Sequence, residues 1–401
     1  MICCLNVALK KTEMILRNKL AQILLLLIIN LISLGSFGQN IITGVLLDNT
    51  SKQPIVGVNI TDENSKYGTV TNEDGEFQMN VKTLPAKLIF SHVSYNKVVK
   101  IIDNSAFQQF FLSIAVVQLP EARSGNPAIL ILNAVVNKAV LDTNKRTFYK
   151  AFYQRVSEQN GKYTKLQEMF MNVSWSQFGV EKWQPTNARF AQIDAQGYKN
   201  PNISILSFLN SAVIHKQTNF PLNNISVTEI YNYKIKQYIN FGTEEEIAVI
   251  ACTSKSKVSN VFQFIGDIFV STKKDNLVRI SGKIIYPKTR MGSRILTLIL
   301  NFKEDSSGYS IFDNLYMLQN VGKKVLSKGD SEKIWFFFQE EIERLSDEKT
   351  YPAFVRDDLK VLTASPYNAT FWQENVPLKH TKLEKEVIQY FEKKQQFTSN
   401  F

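Results

Sequence analysis

Cysteine and histidine are both scarce in this chain of 401 residues, with three of each. Cys3 and Cys4 stand at the amino end, so Cys252 is the single thiol in the body of the chain and no internal disulfide can form there. Stability must come from core burial. His92, His215 and His380 lie in separate segments without a second histidine or cysteine at ligand spacing, so no zinc site is readable. The chain also lacks a Gly-x-Ser-x-Gly elbow, a His-Glu-x-x-His helix and a glycine-rich phosphate loop. No run of five like charges and no basic-aromatic platform is present, which argues against nucleic acid as a partner. The sequence therefore assigns no catalytic, cofactor-binding or metal-binding residue, and no cofactor is expected.

A membrane-spanning length of apolar sequence is missing too. Arg17 and Lys19 precede an apolar run over residues 23–34, which Asn30 and Ser33 interrupt, and a stable span needs about 20 apolar residues. The run ends at Ser36-Phe37-Gly38, a small-residue cleavage site, so residues 1–38 read as an export signal and the mature chain is expected to start at Gln39. Met14 serves as initiator as well as Met1, because residues 14–38 alone carry the charged, apolar and cleavage regions. No cysteine follows the run to accept a lipid. Removing the signal takes the net charge from +11 to about +8, which favours solubility and contact with anionic envelope surfaces. The apolar share of 44% and the charged share of 21% are those of a globular protein, and the remaining length suffices for two domains.

What is present begins with short β-branched runs over residues 41–112. Residues 41–46, 55–60, 68–71, 88–90 and 98–101 alternate like strands, and Asp74-Gly75 sits between two runs where a hairpin would turn. About seven strands in so short a stretch point to an antiparallel sandwich. Asn72, Glu73, Asp74 and Glu76 could pass for a calcium loop, but the remote bidentate carboxylate is missing and a solvated turn is expected.

These residues resemble the carboxypeptidase regulatory-like, or transthyretin-like, domains of exported Bacteroidota proteins. The matching elements are Ile42-Thr43-Gly44-Val45-Leu46, the Pro54 to Ile60 strand, Gly68-Thr69-Val70-Thr71 with the hairpin to Phe77, and Ser91-His92-Val93-Ser94-Tyr95. Ser94 replaces the usual glycine before the tyrosine. The resemblance implies a small β-sandwich without catalytic residues of its own, attached to something larger; it does not imply peptidase activity.

Residues 120–127 read as a linker, and Asn126-Pro127 as a helix cap followed by proline at the first helical position. Ala128, Ile129, Leu132, Val135, Val136, Ala139 and Val140 then share one helical face, expected to pack on a sheet. Long strands follow over residues 148–157 and 163–175, joined at Asn160-Gly161, then over 227–239, 247–251, 261–270, 277–285, 295–302, 309–318 and 334–342. Thr381 and Glu384 fit a capping box opening a helix with an apolar stripe of Leu383, Val387, Tyr390 and Phe391. The fold expected is mainly β: a transthyretin-like antiparallel sandwich over residues 39–119, then a larger antiparallel sheet or half-barrel over 128–401 with helices at both ends. The order of this second region resembles the remainder of the same envelope family, and in outline it is similar to the periplasmic lipoprotein carriers. Phe401 ends the chain as in outer-membrane barrels, but residues 395–400 lack the alternating apolar band that a lipid-facing strand needs.

Three functions are set against one another on this basis. The first is an exported, non-catalytic binding or assembly protein of the cell envelope, periplasmic, at the outer-membrane periphery or secreted, with an envelope protein or a glycan as partner and peripheral rather than integral membrane contact. The second is a soluble carrier of an acyl chain or another apolar ligand, for which the aromatic residues Trp175, Trp183, Tyr231, Tyr233, Tyr238, Trp335, Phe336, Phe337, Phe338 and Trp372 would line a concave face, although core packing accounts for them more simply. The third is a hydrolase in which Glu168, with Asp194 or Glu229, forms a carboxylate dyad. For Glu168 a solvated or strand-edge carboxylate is the plainer expectation.

Overall fold

The computed structural model describes residues 40–63, 68–119, 126–159, 162–193, 205–215, 220–222, 230–255, 263–286, 295–320, 331–354, 361–362 and 367–397. The expected signal, residues 120–125 of the expected linker, the Asn160-Gly161 turn, Asp194 and Glu229 lie outside them.

Seven strands build the first module: β1 (Asn40–Asp48), β2 (Asn59–Asp62), β3 (Gly68–Val70), β4 (Glu76–Val81), β5 (Ala86–His92), β6 (Tyr95–Ile102) and β7 (Gln108–Leu112). They form two sheets of order β4-β1-β7 and β3-β2-β5-β6. Period-two burial places Ile42 and Leu46 of β1 against Phe77 and Met79 of β4 and Leu88 and Phe90 of β5. The rings of Phe77, Phe90 and Phe110 meet at centroid distances of 4.6 to 6.0 Å, and such pairs add to what area burial contributes. The second sheet is antiparallel throughout. In the first, β1 and β7 run parallel from Gly44↔Gln108 to Asp48↔Leu112, because the chain crosses to the other sheet and back between them.

Two local expectations change. Residues 55–58 are not strand: Gly57 has φ +71°, and β2 starts only at Asn59. The Asp74-Gly75 turn is real, with Gly75 at φ +70° and the Asn72 side-chain oxygen accepting from the Asp74 and Glu76 amides at 3.0 and 2.9 Å. It does not close a hairpin, however, since β3 and β4 belong to different sheets. A Cβ on Gly75 would lie 2.7 Å from the Leu46 carbonyl, so glycine is required twice over.

The remainder comprises β8 (Val117–Gln118), α1 (Pro127–Leu141), β9 (Thr147–Gln159), β10 (Lys162–Ser176), β11 (Gly179–Gln192), α2 (Ile205–Leu209), β12 (Tyr231–Ile239), β13 (Ile247–Ser254), β14 (Gln263–Ser271), β15 (Asn276–Ile285), β16 (Ile295–Glu304), β17 (Ser310–Asn320), β18 (Ser331–Ile342), β19 (Tyr351–Pro352), α3 (Ala369–Glu374) and α4 (Lys382–Lys393). Its twelve strands make one sheet of order β19-β11-β10-β9-β18-β17-β16-β15-β14-β13-β12-β8, antiparallel at every pairing. Pairing of β9 with β18 brings the two ends of the region together at the middle of the sheet. Both edges are two-residue strands, one containing Pro352, which blunts them against further pairing.

The central strands are buried on both faces. Tyr149, Ala151 and Tyr153 of β9 enter the largest core with α1, Phe208 and Phe220, whereas Phe152 and Val156 face α3 and α4. The aromatic supply thus serves as core: Trp175, Trp183, Tyr231, Tyr233, Trp335, Phe336, Phe337, Phe338 and Trp372 are all buried, and Tyr238 is half-buried. In α1 the Asn126 side chain caps the Ala128 amide at 3.2 Å, and Ala128, Leu132, Val135, Val136 and Ala139 are buried, but Val140 points to solvent. The α4 capping box forms as expected, yet its stripe differs. Glu384, Val387, Ile388 and Phe391 are buried while Leu383 and Tyr390 are exposed, because Lys333 of β18 meets the Glu384 carboxylate and draws that side of the helix inward.

Strand β11 escapes the sequence reading, since Pro185 interrupts it. Pro185 pairs with Met171 and Asn187 with Phe170, so Thr186 is the extra residue of a bulge, a place where a missing amide hydrogen does no harm. In β14 and β15, Gly266 faces Gly282 across the ladder, and a Cβ on either would lie 2.8 Å from the Phe264 ring. The ring covers the gap that the two glycines leave.

Candidate functional site

Glu168 lies in β10, wholly buried, and is neither solvated nor at a strand edge. Arg189 of β11 donates from Nε to its Oε2 at 2.6 Å, Gln154 of β9 donates to Oε1 at 2.8 Å, and His380 Nε2 lies 2.7 Å from the same oxygen. Register explains the convergence: Gln154 and Arg189 are the cross-strand partners of Glu168 on either side. The Arg189 guanidinium stacks 4.5 Å from the Trp372 ring and 5.1 Å from the Phe397 ring. Burial would raise the Glu168 pKa, but the charges of Arg189 and His380 and the hydrogen bonds to it prevail and hold it below the usual carboxylate range. A carboxylate kept ionised under a closed cover has no proton to donate. Its place in the fold is to anchor the segment carrying α3 and α4.

A second buried charge cluster does similar work. Lys333 reaches Glu384 of α4 at 2.9 Å and Glu73 of the Asp74-Gly75 turn at 3.0 Å. Burial opposes its charge, and the two carboxylates more than reverse this, so its pKa stands above the usual lysine range. Around it, Thr69 Oγ1 donates to the Pro377 carbonyl at 2.6 Å and Asn72 Nδ2 to the Lys379 carbonyl at 2.9 Å. Of the four turn residues that could suggest calcium, Asn72 and Glu76 are thus spent on Lys379 of the carboxy-terminal segment and Glu73 on Lys333 of β18. No group of three metal-ligating side chains occurs among the described residues.

The three histidines remain apart. His215 is buried against Phe220 with ring centroids 3.6 Å apart, and burial pushes its pKa down to about 3. His92 stands at the end of β5, where Arg279 of β15 donates to its Nε2 at 2.6 Å. Burial, then the Arg279 charge, lowers the His92 pKa to about 3, so the ring stays neutral, and burial lowers Arg279 to about 10.

His92 also borders the cavities with the features of a ligand site. Two adjoining hollows, about 320 and 230 Å³, run along the junction of the sandwich and the twelve-stranded sheet and share Val93, Tyr95, Lys97, Val278, Phe302 and Lys303. The first opens further toward Asn240, Glu244 and Glu245 in the turn before β13 and toward Asn276 at the start of β15; the second toward Asn59, Asn301 and Asn314. Part of the second wall is tied together, since Asn59 and Asn314 both donate to Asp313 at 2.8 Å and Asn301 donates to Asn314 at 2.7 Å. Asn276 is different. It is buried, its Nδ2 donates to the Gly308 carbonyl at 3.1 Å, and its Oδ1 has no hydrogen-bond partner among the described residues.

None of the groove residues was singled out for chemistry by the sequence, because they come from five distant segments. The one available signal is the Ser91 to Tyr95 motif, read there as a fold marker, which lands on the groove wall. Glu168 was singled out and proves to be a structural anchor.

The CarboxypepD_reg-like domain family matches residues 42–122. No curated protein matches the chain. Among solved structures, a DUF1329 family protein from Desulfovibrio piger shares 13% identity over 56% of this chain and 96% of its own, with a TM-score of 0.24. A DUF3823 family protein from Bacteroides ovatus shares 8% over 39% and 100%, with a TM-score of 0.16. A protein of unknown function from Bacteroides fragilis shares 9% over 76% and 98%, also at 0.16. At these TM-scores none of the three bears on the architecture or the activity of this chain. With its seven strands in two facing sheets and the matching sequence from Ile42 onward, the amino-terminal module is a carboxypeptidase regulatory-like domain, and the chain is a carboxypeptidase regulatory-like domain-containing protein.

Proposed function

We propose that the protein is an exported, non-catalytic binding protein of the cell envelope, with its ligand site in the groove between the sandwich and the large sheet. The observation that carries this reading is the composition of the groove: aromatic and aliphatic walls from Tyr95, Phe302 and Val278 beside the exposed polar side chains of Lys97, Glu244 and Glu245. Binding sites combine apolar surface with a few convergent polar groups in this way. The non-catalytic part is supported by the fate of Glu168, which is ionised, covered and engaged by three side chains. Export is supported by the charged, apolar and cleavage regions of residues 1–38. Among the described residues no helix is long and apolar enough to cross a membrane.

A thermal-shift screen of the purified protein against oligosaccharides, peptides and lipids tests the binding reading. A ligand that favours the native state must raise the midpoint with concentration. Substitution of Tyr95 by alanine is expected to abolish that rise, and a rise unaffected by it would move the site elsewhere. Fractionation with amino-terminal sequencing tests export: a cytosolic product retaining Met1 or Met14 would refute it.

A further inference from the structure

The outer edges of the three sheets are β4 and β7, β3 and β6, and β19 and β8. Of these β6 is the longest, with eight residues, and the others have six or fewer. Its amino end is covered, since Tyr95 bridges Ile114 and the Asn96 amide donates to the Ser113 carbonyl at 2.9 Å. From Lys97 to Ile102, β5 is the only strand beside it among the described residues. The side chains are open as well: Lys97 and Lys100 are exposed, as are Val99 at 45% and Ile101 at 66%. Lys100 alternates in step with half-buried Val98 and buried Ile102 yet stays in solvent, which shows how little covers this side of the strand. An unpaired edge of this length presents main-chain donors and acceptors to a further strand.

Charge decides which strand fits. Neither lysine has an ion-pair partner among the described residues, and β6 contains no acidic residue. A second copy of the chain set against this edge would gather four lysines on one short ladder without a carboxylate, and like charges at facing positions weaken a pairing. An uncharged strand would take water from both ammonium groups and give nothing back. A strand with carboxylates opposite Lys97 and Lys100 and apolar residues opposite Val99 and Ile101 satisfies all four. In an antiparallel partner this reads, from its amino end, apolar, acidic, apolar, any residue, acidic, because directly opposite residues share a face of the ladder. We infer that the outer edge of β6 binds an extended acidic segment of another protein by strand addition, its carboxylates pairing with Lys97 and Lys100. From Lys97 to Ile102, only Lys97 also lines the groove hollows.

Fluorescence anisotropy with the full mature chain tests it, using a labelled peptide that contains Val-Glu-Val-Thr-Glu and the same peptide with both glutamates replaced by lysine. Two further forms of the glutamate peptide carry N-methyl groups on alternate main-chain amides, one form for each set. The glutamate peptide is expected to bind, and to bind Lys100→Glu about tenfold more weakly, since reversal exchanges an attraction for a repulsion. Lys97→Glu combined with Lys100→Glu should weaken it further and should bind the lysine peptide better than the unaltered chain does. At least one N-methylated form is expected to lose binding, because every second amide of an added strand faces the edge. No binding of the glutamate peptide, equal binding of the lysine peptide to the unaltered chain, or binding unchanged in a folded Lys100→Glu overturns the inference. Full binding of both N-methylated forms overturns strand addition. A groove ligand should respond to Tyr95→Ala and not to Lys100→Glu, so failure of this inference is distinguishable from failure of the groove.

Discussion

At the scale of single residues, the energetics concentrate in buried charges that hold chain segments together. Glu168→Gln leaves the Arg189 guanidinium without a counter-charge under Trp372 and Phe397, and breaking a buried pair in this way costs about 3–5 kcal/mol. Glu168→Leu combined with Arg189→Met removes both charges and is expected to recover more than half of that loss, as read from denaturant midpoints. An equal loss in the single and double variants would show that the ion pair is not the cause. The same network sets a pH dependence. The Glu168 pKa is lowered in the native state, so the stability it confers is present above the usual carboxylate value of 4.5 and is lost as the pH falls below it. His92 and His215 act earlier: both are lowered from 6.5 to about 3, the unfolded chain binds more protons in that window, and stability falls from pH 6.5 downward. His215→Phe is expected to flatten the slope between pH 6.5 and 4.5, and an unchanged slope would show that His215 gains no proton on unfolding.

At the scale of elements, α4 depends on more than its apolar stripe. The helix is twelve residues long, too short to be stable by itself, and its Thr381–Glu384 capping box joins it to the Lys333 bridge through the same glutamate. Thr381→Ala is expected to cost about 1 kcal/mol, the typical worth of a cap, whereas Glu384→Ala loses the cap, the ion pair and the fit of the helix, and should cost at least twice as much in the same denaturation assay. Most of the elements were legible in the sequence, because the apolar and aromatic runs of β9, β10 and β18, the alternation along β12 and β16 and the Asn126 and Thr381 caps are local patterns. The exceptions have local causes too: Pro185 hides β11 behind a bulge, and Gly57 delays the start of β2. The stripe of α4 was misread because a glutamate occupies an inward position, which only its partner on β18 explains.

At the scale of the whole molecule, the question is how far the sandwich stands by itself. Residues 39–119 contain all seven strands and a closed core around Phe77, Phe90 and Phe110. The same segment lends Val70 and Val56 to a cluster with Trp335 and Trp372, Val93 to one with Phe269, and β8 to the edge of the large sheet. We expect the isolated segment to fold with marginal stability, as befits a small core without disulfides, and to gain protection when the rest of the chain is present. Hydrogen exchange of β2 and β3 in the isolated segment and in the full chain checks this, and equal protection in both would mean that the contacts with the carboxy-terminal segment carry no stability. Limited trypsin digestion is expected to cut near Arg123 before any site within residues 41–112.

The sequence by itself determined the class of the protein, since alternation, turn residues and caps act over a few positions and each reports its own strand or helix. It also determined which domain family the first module belongs to, because the Gly44, Gly68 and Gly75 positions and the Ser91 to Tyr95 motif are local in the chain. Tertiary structure alone decided which side chains meet. Glu168 became an anchor because strand register sets Gln154 and Arg189 beside it and the returning chain delivers His380 from 212 positions away. The groove likewise exists only where β5, β6 and the turns before β13 and β15 come together, and no periodicity along a chain can encode a surface assembled from segments that far apart.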